Sequence, residues 1–331
     1  MGSVRKRDSP PAGYTVRPAR HEDIPAIITL LAEFDAGFGH EVVLWDAEDI
    51  ENDWRHLNPE TDTWVIVAPG GALAAYATLA DDGLGQFSAD GYVHPHWRGH
   101  GLGAHLLHLA GARTREMIAA APAGARVTLI TNVLIEDEAA RALLVGAGFS
   151  LVRVFWRMRL EMTDPPPIPE WPAGVRVRTF EPGRDERATY QVIETAFGDH
   201  WGHTPVTFEE WSVRMQRDSF DPSLWFLVED DAGALVAAAL CRMRPEEGWI
   251  NNLATLRDWR RRGLGRSLLL TCFGAFWERG QRKAALGVDS QSLTGAAHLY
   301  ESAGMWPEMR LATYEKELRP GENLVVRSLQ E

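Results

Sequence analysis

The second half of the chain repeats the first half at an offset of 161 or 162 residues. The matched segments are Gly13–Arg17 with Gly174–Arg178, Trp64–Val67 with Trp225–Val228, Gly71–Leu73 with Gly233–Leu235, and Arg98–Gly103 with Arg260–Gly265. Toward the end the offset falls to 156, where Gly148-Phe149 matches Gly304-Met305. The chain is therefore predicted to contain two copies of one domain.

Proline marks the boundary between the two copies. The segment Thr163–Glu170 holds four prolines, which remove amide donors and favour extended backbone, so a helix or an inner strand is disfavoured there. We expect an N-terminal domain at 14–160, a linker at 161–173 and a C-terminal domain at 174–318. Each half of a 331-residue chain is long enough to bury its own core.

Each copy has the pattern of a mixed α/β domain. In the second copy the spacing of apolar residues predicts the order β-α-α-β-β-β-α-β-α-β, with a hairpin formed by Trp225–Glu229 and Ala234–Cys241. The other elements predicted there are strands at 175–179, 249–255, 284–288 and 310–316, and helices at 182–196, 264–279 and 294–302. This order predicts two tandem α/β domains, each a mixed central sheet flanked by helices, and not a doubly wound sheet.

Composition excludes several classes of function. With 34 basic and 46 acidic residues the formal charge is −12, so the chain is not expected to bind nucleic acid. No segment approaches the roughly 18 apolar residues of a membrane helix, and the basic segment Met1–Gly13 has no apolar core. We expect a loose tail on a cytoplasmic protein with no membrane partner. Cys241 and Cys272 share no metal-site or disulfide spacing and are expected to be small buried hydrophobes.

A loop rich in arginine and glycine joins a predicted strand to a predicted helix in each copy. The first turn of a helix offers unpaired amide groups and a partial positive charge, so an anion fits there. In the second copy, Gly263 and Gly265 lack the Cβ atoms that would hold a phosphate away from the backbone. Four arginines within seven residues add charge-assisted donors. These features predict a diphosphate-binding loop.

Two other kinds of phosphate loop are disfavoured. No G-x-x-x-x-G-K-[ST] string occurs in the chain. Gly99–Ala104 fits the G-x-G-x-x-A pattern of a dinucleotide fold, but that loop follows the first strand of its unit, and here three predicted strands precede it.

The loops and a downstream segment resemble those of one family. Residues 98–103 and 260–265 look like the (Arg/Gln)-x-x-Gly-x-(Gly/Ala) acyl-CoA loop of the Gcn5-related N-acetyltransferase (GNAT) family. Val288–Met305 resembles that family's later V-x-x-x-N-x-x-A-x-x-LYE-x-x-GF segment. The resemblance covers about residues 14–160 and 174–318, and the tandem arrangement is similar to that of mycothiol synthase and related two-domain acetyltransferases of actinobacteria.

The resemblance implies that an acetyl group passes from the co-substrate acetyl-CoA to an amine by direct attack. The family stabilises the negative thioester oxygen with backbone amides at the splayed end of the strand before the loop, here Leu253, Ala254 and Thr255. Its LYE tyrosine, which assists the departing sulfur, corresponds to Tyr300. An amine with a pKa near 10 also requires a base or a water chain to remove its proton.

The same resemblance assigns the residues that bind acetyl-CoA. In the second copy they are Leu253, Ala254, Thr255, Arg260, Arg261, Arg262, Gly263, Leu264, Gly265, Arg266 and Ser292, and in the first copy Val93, Arg98, Gly99, His100, Gly101, Leu102 and Gly103. Ser292 stands where the family has asparagine, and the first copy has Glu136 there.

Catalysis is expected in the C-terminal domain. The first copy has Leu144 at the position of Tyr300, and leucine has no proton to give to a departing sulfur. Glu136 would also face the pantetheine arm with a charge. The N-terminal domain is predicted to be non-catalytic, and whether it binds acyl-CoA is left open.

The acceptor side of the site is expected after the first helix of the second copy, where the family builds its substrate wall. His200 could act as a general base, and Asp199 could bind a cationic amine. A histidine that only packs in the core and an aspartate that caps a helix fit the pattern as well. Trp201, Asn251 and Asn252 are the candidates for binding the acceptor.

Five histidines between His94 and His108 suggest a metal, but no carboxylate or cysteine completes a ligand set, so no metal site is expected. The sequence predicts an N-acetyltransferase that acts on a small-molecule amine. The alternatives are a non-catalytic acyl-CoA sensor or scaffold, and an acetyltransferase of protein or peptide amines. A monomer and a homodimer both remain open.

Overall fold

The computed structural model describes residues 9–39, 45–55, 57–292 and 295–326. Residues 1–8 of the predicted tail, and Thr294 at the start of a predicted helix, lie outside the described residues. The described residues form two compact units. The first unit comes from Met1–Arg153 with Leu311–Leu324, and the second comes from Val154–Arg310 with Val325–Glu331.

The helices and strands occur in a similar order in the two halves of the chain. The first half supplies β1 (Thr15–Arg17), α1 (Ile24–Ala36), α2 (Ala47–Trp54), α3 (Pro59–Asp62), β2 (Thr63–Val67), β3 (Leu73–Gly83), β4 (Gln86–Val93), α4 (Leu102–Met117), β5 (Val127–Leu134), α5 (Glu138–Gly146) and β6 (Ser150–Glu161). The second half supplies β7 (Val175–Thr179), α6 (Glu186–Phe197), α7 (Phe208–Ser212), β8 (Trp225–Asp230), β9 (Leu235–Met243), β10 (Gly248–Thr255), α8 (Leu264–Glu278), β11 (Lys283–Asp289), α9 (Ala296–Ser302) and β12 (Trp306–Arg319).

The second half follows the predicted order β-α-α-β-β-β-α-β-α-β, and β8 and β9 form the predicted antiparallel hairpin. The closing strand is longer than the predicted 310–316, and α6 begins at Glu186 instead of 182. Strand pairing is mixed in both units, because β4 pairs with β5 and β10 pairs with β11 in parallel while their other neighbours are antiparallel. The predicted fold class is confirmed.

The last strand of each half completes the sheet of the other unit. Strand β6 pairs antiparallel with β11 in the second unit, and β12 pairs antiparallel with β5 in the first. The compact units therefore differ from the contiguous domains predicted at 14–160 and 174–318, since 154–160 belongs to the second unit and 311–318 to the first. Two homologous sheets offer a closing strand the same pairing edge, so local sequence does not reveal which edge it takes.

The proline segment between the halves lies against the second unit. No helix or strand occurs between the end of β6 and Gly174. The Ser267 hydroxyl donates to the carbonyl of Glu170, and Trp171 packs against the core of the second unit. Beyond the end of β6, the predicted linker thus contains no helix or strand, and it packs against the second unit.

Strand β9 is buried on both faces because helices cover both sides of its sheet. Ala237, Ala239 and Cys241 pack in the cluster that contains the apolar face of α8. Ala238 and Leu240 pack on the opposite face, in the cluster that contains α6. The small alanine side chains let both helices approach the strand closely.

Both halves begin with the same buried ion pair. Arg17 lies 2.6 Å from Asp23 in the first half, and Arg178 donates to Asp185 at 2.8 Å in the second. Each carboxylate also accepts a backbone N–H from the turn that precedes it, at 2.8 Å. The pair ties the first strand of each half to the start of its first helix, so the repeat extends to individual hydrogen bonds.

We expect Asp185→Asn to lower the free energy of unfolding by about 2 kcal/mol at pH 7, because the partly buried Arg178 loses the buried charged acceptor at position 185. Although burial raises it, the hydrogen bond from Arg178 brings the pKa of Asp185 below its ordinary value. The carboxylate's contribution is therefore present above about pH 4 and is lost as the pH falls through the folded-state pKa. Denaturant unfolding between pH 3 and 7 measures both effects.

Glu181→Gln is the matched control. Glu181 pairs with Arg184 on the surface, with more than half of each side chain exposed, so its loss should change stability by less than about 0.5 kcal/mol. Equal effects of the two substitutions would contradict the assigned role of the buried pair.

Candidate active site

The centre of the second unit is an opening between two parallel strands. Strands β10 and β11 pair only over Gly248–Ile250 and Ala284–Leu286, although β10 continues to Thr255 and β11 to Asp289. A β-bulge interrupts the pairing of β10 with β9 between Ile250 and Asn252. Because a bulge bends its strand and increases the local twist, β10 turns away from β11 at this point.

The opening exposes backbone amides on one edge of β10. The N–H of Leu256 donates to the carbonyl of Val236 at 3.0 Å, on the β9 side. Hydrogen bonding alternates along an antiparallel strand, so the amide of Ala254 also pairs with β9 while those of Leu253 and Thr255 face the opening. Of the three amides predicted to bind the oxyanion, those of Leu253 and Thr255 therefore face the opening, whereas that of Ala254 pairs with β9.

The loop after β10 leads directly into the start of α8. Gly263 precedes the helix with a φ of 90°, and no side chain caps the first turn. Arg261 has a φ of 62°, which is uncommon for a residue with a Cβ atom. Leu264 is buried and anchors the first turn, whereas Arg261, Arg262 and Gly263 are exposed. The helix start thus presents uncapped amides to solvent, as an anion-binding loop requires.

The two glycines of the loop serve different purposes. Gly263 has open space around it, and its left-handed backbone is what excludes other residues. A Cβ atom at Gly265 would lie 3.0 Å from a Leu299 methyl group, so this glycine allows α8 to pack against α9. The structure thus gives Gly263 a conformational role and Gly265 a packing role, and the expectation that both make room for a phosphate stays a prediction.

The four loop arginines differ in their contacts. Arg260 donates to the carbonyls of Thr255 and Ala196, both at 3.2 Å, and so connects the end of β10 with the end of α6. Arg262 lies over the ring of Trp259, and Arg266 donates to the carbonyl of Ser302 at 3.1 Å. Arg260 therefore positions the loop, while the exposed Arg261 and Arg262 are the ones placed to meet a phosphate.

Tyr300 is buried in the core of the second unit, at 7% exposure. Burial, together with the nearby Cys272, raises the pKa of its phenol well above the ordinary value, so the hydroxyl stays protonated at neutral pH. The carbonyl of Tyr300 accepts the N–H of Met305 at 3.0 Å, and the carbonyl of Leu144 accepts that of Phe149 at 3.0 Å. The structure thus places Leu144 at the position of Tyr300, as the 156-residue offset predicts.

The predicted acceptor wall follows the end of α6. Asp199 lies 3.5 Å from Arg260, and the ring of His200 packs on Phe197 with 4.5 Å between ring centroids. Burial lowers the pKa of His200, although the Asp199 charge acts in the opposite direction, so the imidazole is neutral at pH 7. Trp201 is partly buried, with its ring 6.1 Å from that of Phe155. None of these side chains lines the cavity described next.

A cavity of about 190 Å³ lies beside the bulge of β10. Asn251 and Asn252 line it, and the bulge explains why two consecutive side chains reach one cavity. Their role in binding the acceptor stays a prediction. Sequence reasoning missed the three arginines in its wall, which are Arg214, Arg217 and Arg242. The first two are three positions apart in the chain, but nothing local connects them with Arg242.

The first unit keeps the same backbone framework. Strands β4 and β5 pair over only three residues, Gln86–Ser88 with Thr128–Ile130, and then separate. Gly99 and Gly101 both have positive φ, and α4 begins at Leu102 without a side-chain cap. A Cβ atom at Gly103 would lie 3.7 Å from a methyl group of Val93 at the end of β4, which is an ordinary van der Waals contact.

The polar side chains of the first loop are engaged with the protein. The Arg98 guanidinium lies 4.3 Å from the centre of the Phe38 ring, and His100 bonds with Tyr14. Arg98 therefore does not repeat the backbone contacts of its counterpart Arg260.

Ser292 lies after β11, where its N–H donates to the Asp289 carbonyl at 3.0 Å. Across the described ranges, no group of three or more His, Cys, Asp or Glu side chains is arranged to hold a metal ion. None of the described helices combines the length and the apolarity that spanning a bilayer requires.

Comparisons with known proteins agree with this geometry. The sequence model of the acetyltransferase (GNAT) family matches residues 187–305. Mycothiol acetyltransferases of Thermobispora bispora and Thermomonospora curvata are 34% and 35% identical, over 76% and 85% of this chain and 82% and 90% of those proteins. A crystal structure of a GCN5-related N-acetyltransferase from Sphaerobacter thermophilus is 38% identical with a TM-score of 0.84, covering 96% of this chain and 99% of that one.

A tandem GNAT protein from the clavulanic acid biosynthesis pathway is 19% identical, covers 93% of this chain and 100% of that one, and has a TM-score of 0.70, which shows a shared fold. Fold, loop and relatives together define an acyltransferase. The chain belongs to the acetyltransferase (GNAT) family, and acetyl-CoA is its co-substrate. The resemblance predicted from the two loops is confirmed.

The second unit fits acetyl-CoA, which supplies an acetyl group activated as a thioester. The uncapped start of α8 and the exposed Arg261 and Arg262 suit its phosphates. The outward amides of Leu253 and Thr255 suit a carbonyl oxygen that gains negative charge.

Gly263→Ala is expected to weaken acetyl-CoA binding by about tenfold, because a Cβ atom in the left-handed region costs roughly 1–2 kcal/mol and shifts the first turn of α8. Gly274→Ala on the same helix is the control, since Gly274 has open space around it and should tolerate alanine. Titration calorimetry with both proteins, and with Gly101→Ala for the first unit, measures affinity and stoichiometry. Unchanged binding by Gly263→Ala would place the co-substrate elsewhere.

Proposed function

We propose that the protein transfers the acetyl group of acetyl-CoA to the amine of a small molecule, and that the reaction takes place in the second unit. The observation that supports this proposal is that the second unit contains both the strand β10, separated from β11, and the buried phenol of Tyr300. Tyr300 has its hydroxyl in the second unit, while the matching position in the first unit is the buried Leu144.

Tyr300 acts as the hydrogen-bond donor to the departing sulfur. A thiol has an ordinary pKa near 8.5, so the sulfur leaves as a thiolate that accepts a hydrogen bond. Burial raises the pKa of the Tyr300 phenol, so the phenol keeps its proton and donates a hydrogen bond to the sulfur without transferring the proton. The thiolate then takes up a proton from water.

The edge of β10 stabilises charge during the transfer. The amides of Leu253 and Thr255 face the opening and are held by the pairing of their neighbours with β9. Arg260 donates to the Thr255 carbonyl at 3.2 Å and so fixes the end of the strand. Because these dipoles are already oriented, they need not reorganise as the oxygen becomes negative.

His200 is the base proposed to take the amine proton. Burial holds its pKa below the usual value, so at pH 7 the ring has a lone pair to accept that proton. The neighbouring Asp199 stabilises the imidazolium that forms, and the 3.5 Å contact with Arg260 positions this carboxylate. Trp201 follows in the same segment, consistent with a substrate wall.

The size of the cavity beside the bulge favours a small acceptor. At about 190 Å³ it is below the 300–1,000 Å³ typical of sites for drug-sized ligands. The relatives named mycothiol acetyltransferases also support a small-molecule amine. A protein or peptide acceptor would need an open groove for its backbone on both sides of the reacting amine.

Tyr300→Phe should lower kcat about 100-fold with acetyl-CoA affinity nearly unchanged, because only the hydrogen-bond donor is removed. Thiol release from acetyl-CoA with a panel of small amines measures the rate, and calorimetry measures binding. Tyr314→Phe is the matched control, since Tyr314 is equally buried but belongs to the first unit. A loss of less than about threefold in Tyr300→Phe would reject the assigned role.

A further inference from the structure

Three arginines line the cavity beside the bulge, in a protein of net charge −12. Arg214, Arg217 and Arg242 contribute guanidinium groups to its wall, and Asn251 and Asn252 contribute amides. Among the described residues that line this cavity there is no aspartate or glutamate. Guanidinium and amide groups are the donors that bind a carboxylate or a phosphate.

Arg214 is held rigidly in this wall. Its Nε donates to the carbonyl of Trp211 at 3.0 Å, and its Nη1 donates to Oδ1 of Asn252 at 3.1 Å. The guanidinium also lies over the Trp211 ring, 5.1 Å from the ring centre. These contacts use two of its five N–H donors and fix the plane of the fork, which is the arrangement that binds a carboxylate or a phosphate in two-point fashion.

Arg214 is a partly buried charge beside a like charge. Burial lowers the pKa of Arg214 to about 10, and the like charge of Arg217 also lowers it, while Glu194 acts in the opposite direction. Glu194 lies on α6, where it is 3.4 Å from His203, and it does not line the cavity. An anion in the cavity would stabilise the charged form of Arg214.

The first unit has the opposite character at the matching strand position. Asp90 of β4 stands at the place of Asn252, 162 residues earlier. Burial raises the pKa of Asp90 to about 6, with Asp53 and Asp82 adding to the effect. The two units therefore differ in the charge of the side chain at this strand position.

From these observations we infer that the acceptor carries an anionic group, a carboxylate or a phosphate, which Arg214, Arg217 and Arg242 bind while the amine of the same molecule meets the acetyl group. This inference rests on the proposed function. Asn252 lies one to three residues before the outward amides of Leu253 and Thr255, or about 3–10 Å along the strand. That span fits a short amino acid or amino phosphate.

The test compares matched amines that differ in charge. With 3-aminopropanol, β-alanine and 3-aminopropyl phosphate as acceptors, we expect kcat/KM to be at least tenfold higher for one or both anionic amines, and the better of the two identifies the group. Arg217→Met and Arg214→Lys should each reduce that preference, measured as the ratio of kcat/KM for the anionic amine to kcat/KM for 3-aminopropanol, at least tenfold. Arg187→Gln, an exposed arginine over Phe208 outside the cavity, should leave the preference unchanged.

A second measurement does not depend on turnover. Inorganic phosphate is titrated into the protein with CoA at saturation, so that the loop at α8 is already filled, and Trp225 in the cavity wall reports binding by fluorescence. We expect saturable binding that Arg217→Met weakens at least tenfold and Arg187→Gln preserves.

The two failures can be told apart. Equal acetylation of neutral and anionic amines, unchanged by Arg217→Met, would overturn the anionic acceptor and leave the proposed function standing. Phosphate binding that depends on Arg217, with no amine acetylated, would overturn the proposed function and leave the anion site standing. No dependence on Arg217 in either measurement would overturn the anion site.

Discussion

The separation of β10 from β11 after three paired residues is the constraint on which the rest of the second unit depends. Complete pairing would occupy the amides of Leu253 and Thr255 with backbone partners and would close the opening beside them. The bulge at Asn251 prevents that pairing and also turns Asn251 and Asn252 toward the adjacent cavity. One irregularity in a strand therefore creates both the open edge of β10, where we propose that the acetyl group binds, and the cavity wall, where we propose that the acceptor binds.

The two halves share this framework and differ in the groups attached to it. Both have a short parallel pairing, a positive-φ glycine before an uncapped helix and a buried ion pair at the start. The side chains then differ. The buried Tyr300 of the second unit corresponds to Leu144 in the first unit, and Asn252 corresponds to Asp90. The backbone features depend on glycine and on strand register, so they persist when single side chains change.

The exchange of closing strands makes each unit depend on both halves of the chain. A sheet edge without its neighbour exposes a row of unpaired N–H and C=O groups. In the second unit β6 covers the outer edge of β11, and in the first unit β12 covers that of β5. A fragment cut within the proline segment would carry one of these edges uncovered. Each half therefore needs the other to complete its strand pairing, in spite of the repeat.

Much of the candidate site could be read from local sequence. The motif residues stand at fixed numbers of residues from a predicted strand or helix, and the folded structure keeps that relation. They are Gly263, the arginines around it and Tyr300. Roles were harder to assign than positions. Gly265 proved to serve helix packing and Arg260 to hold backbone carbonyls, because the partners Leu299, Ala196 and Thr255 become neighbours only in the folded chain.

The amino-acid sequence by itself determined the duplication, the order of helices and strands, the two loops and the difference between Tyr300 and Leu144, since each rests on periodicity or on residues close together in the chain. Tertiary structure alone decided which sheet each closing strand joins, where β10 leaves β11, and that Arg214, Arg217 and Arg242 share one cavity. These outcomes depend on hydrogen bonds and packing between segments far apart in sequence, which no local pattern records.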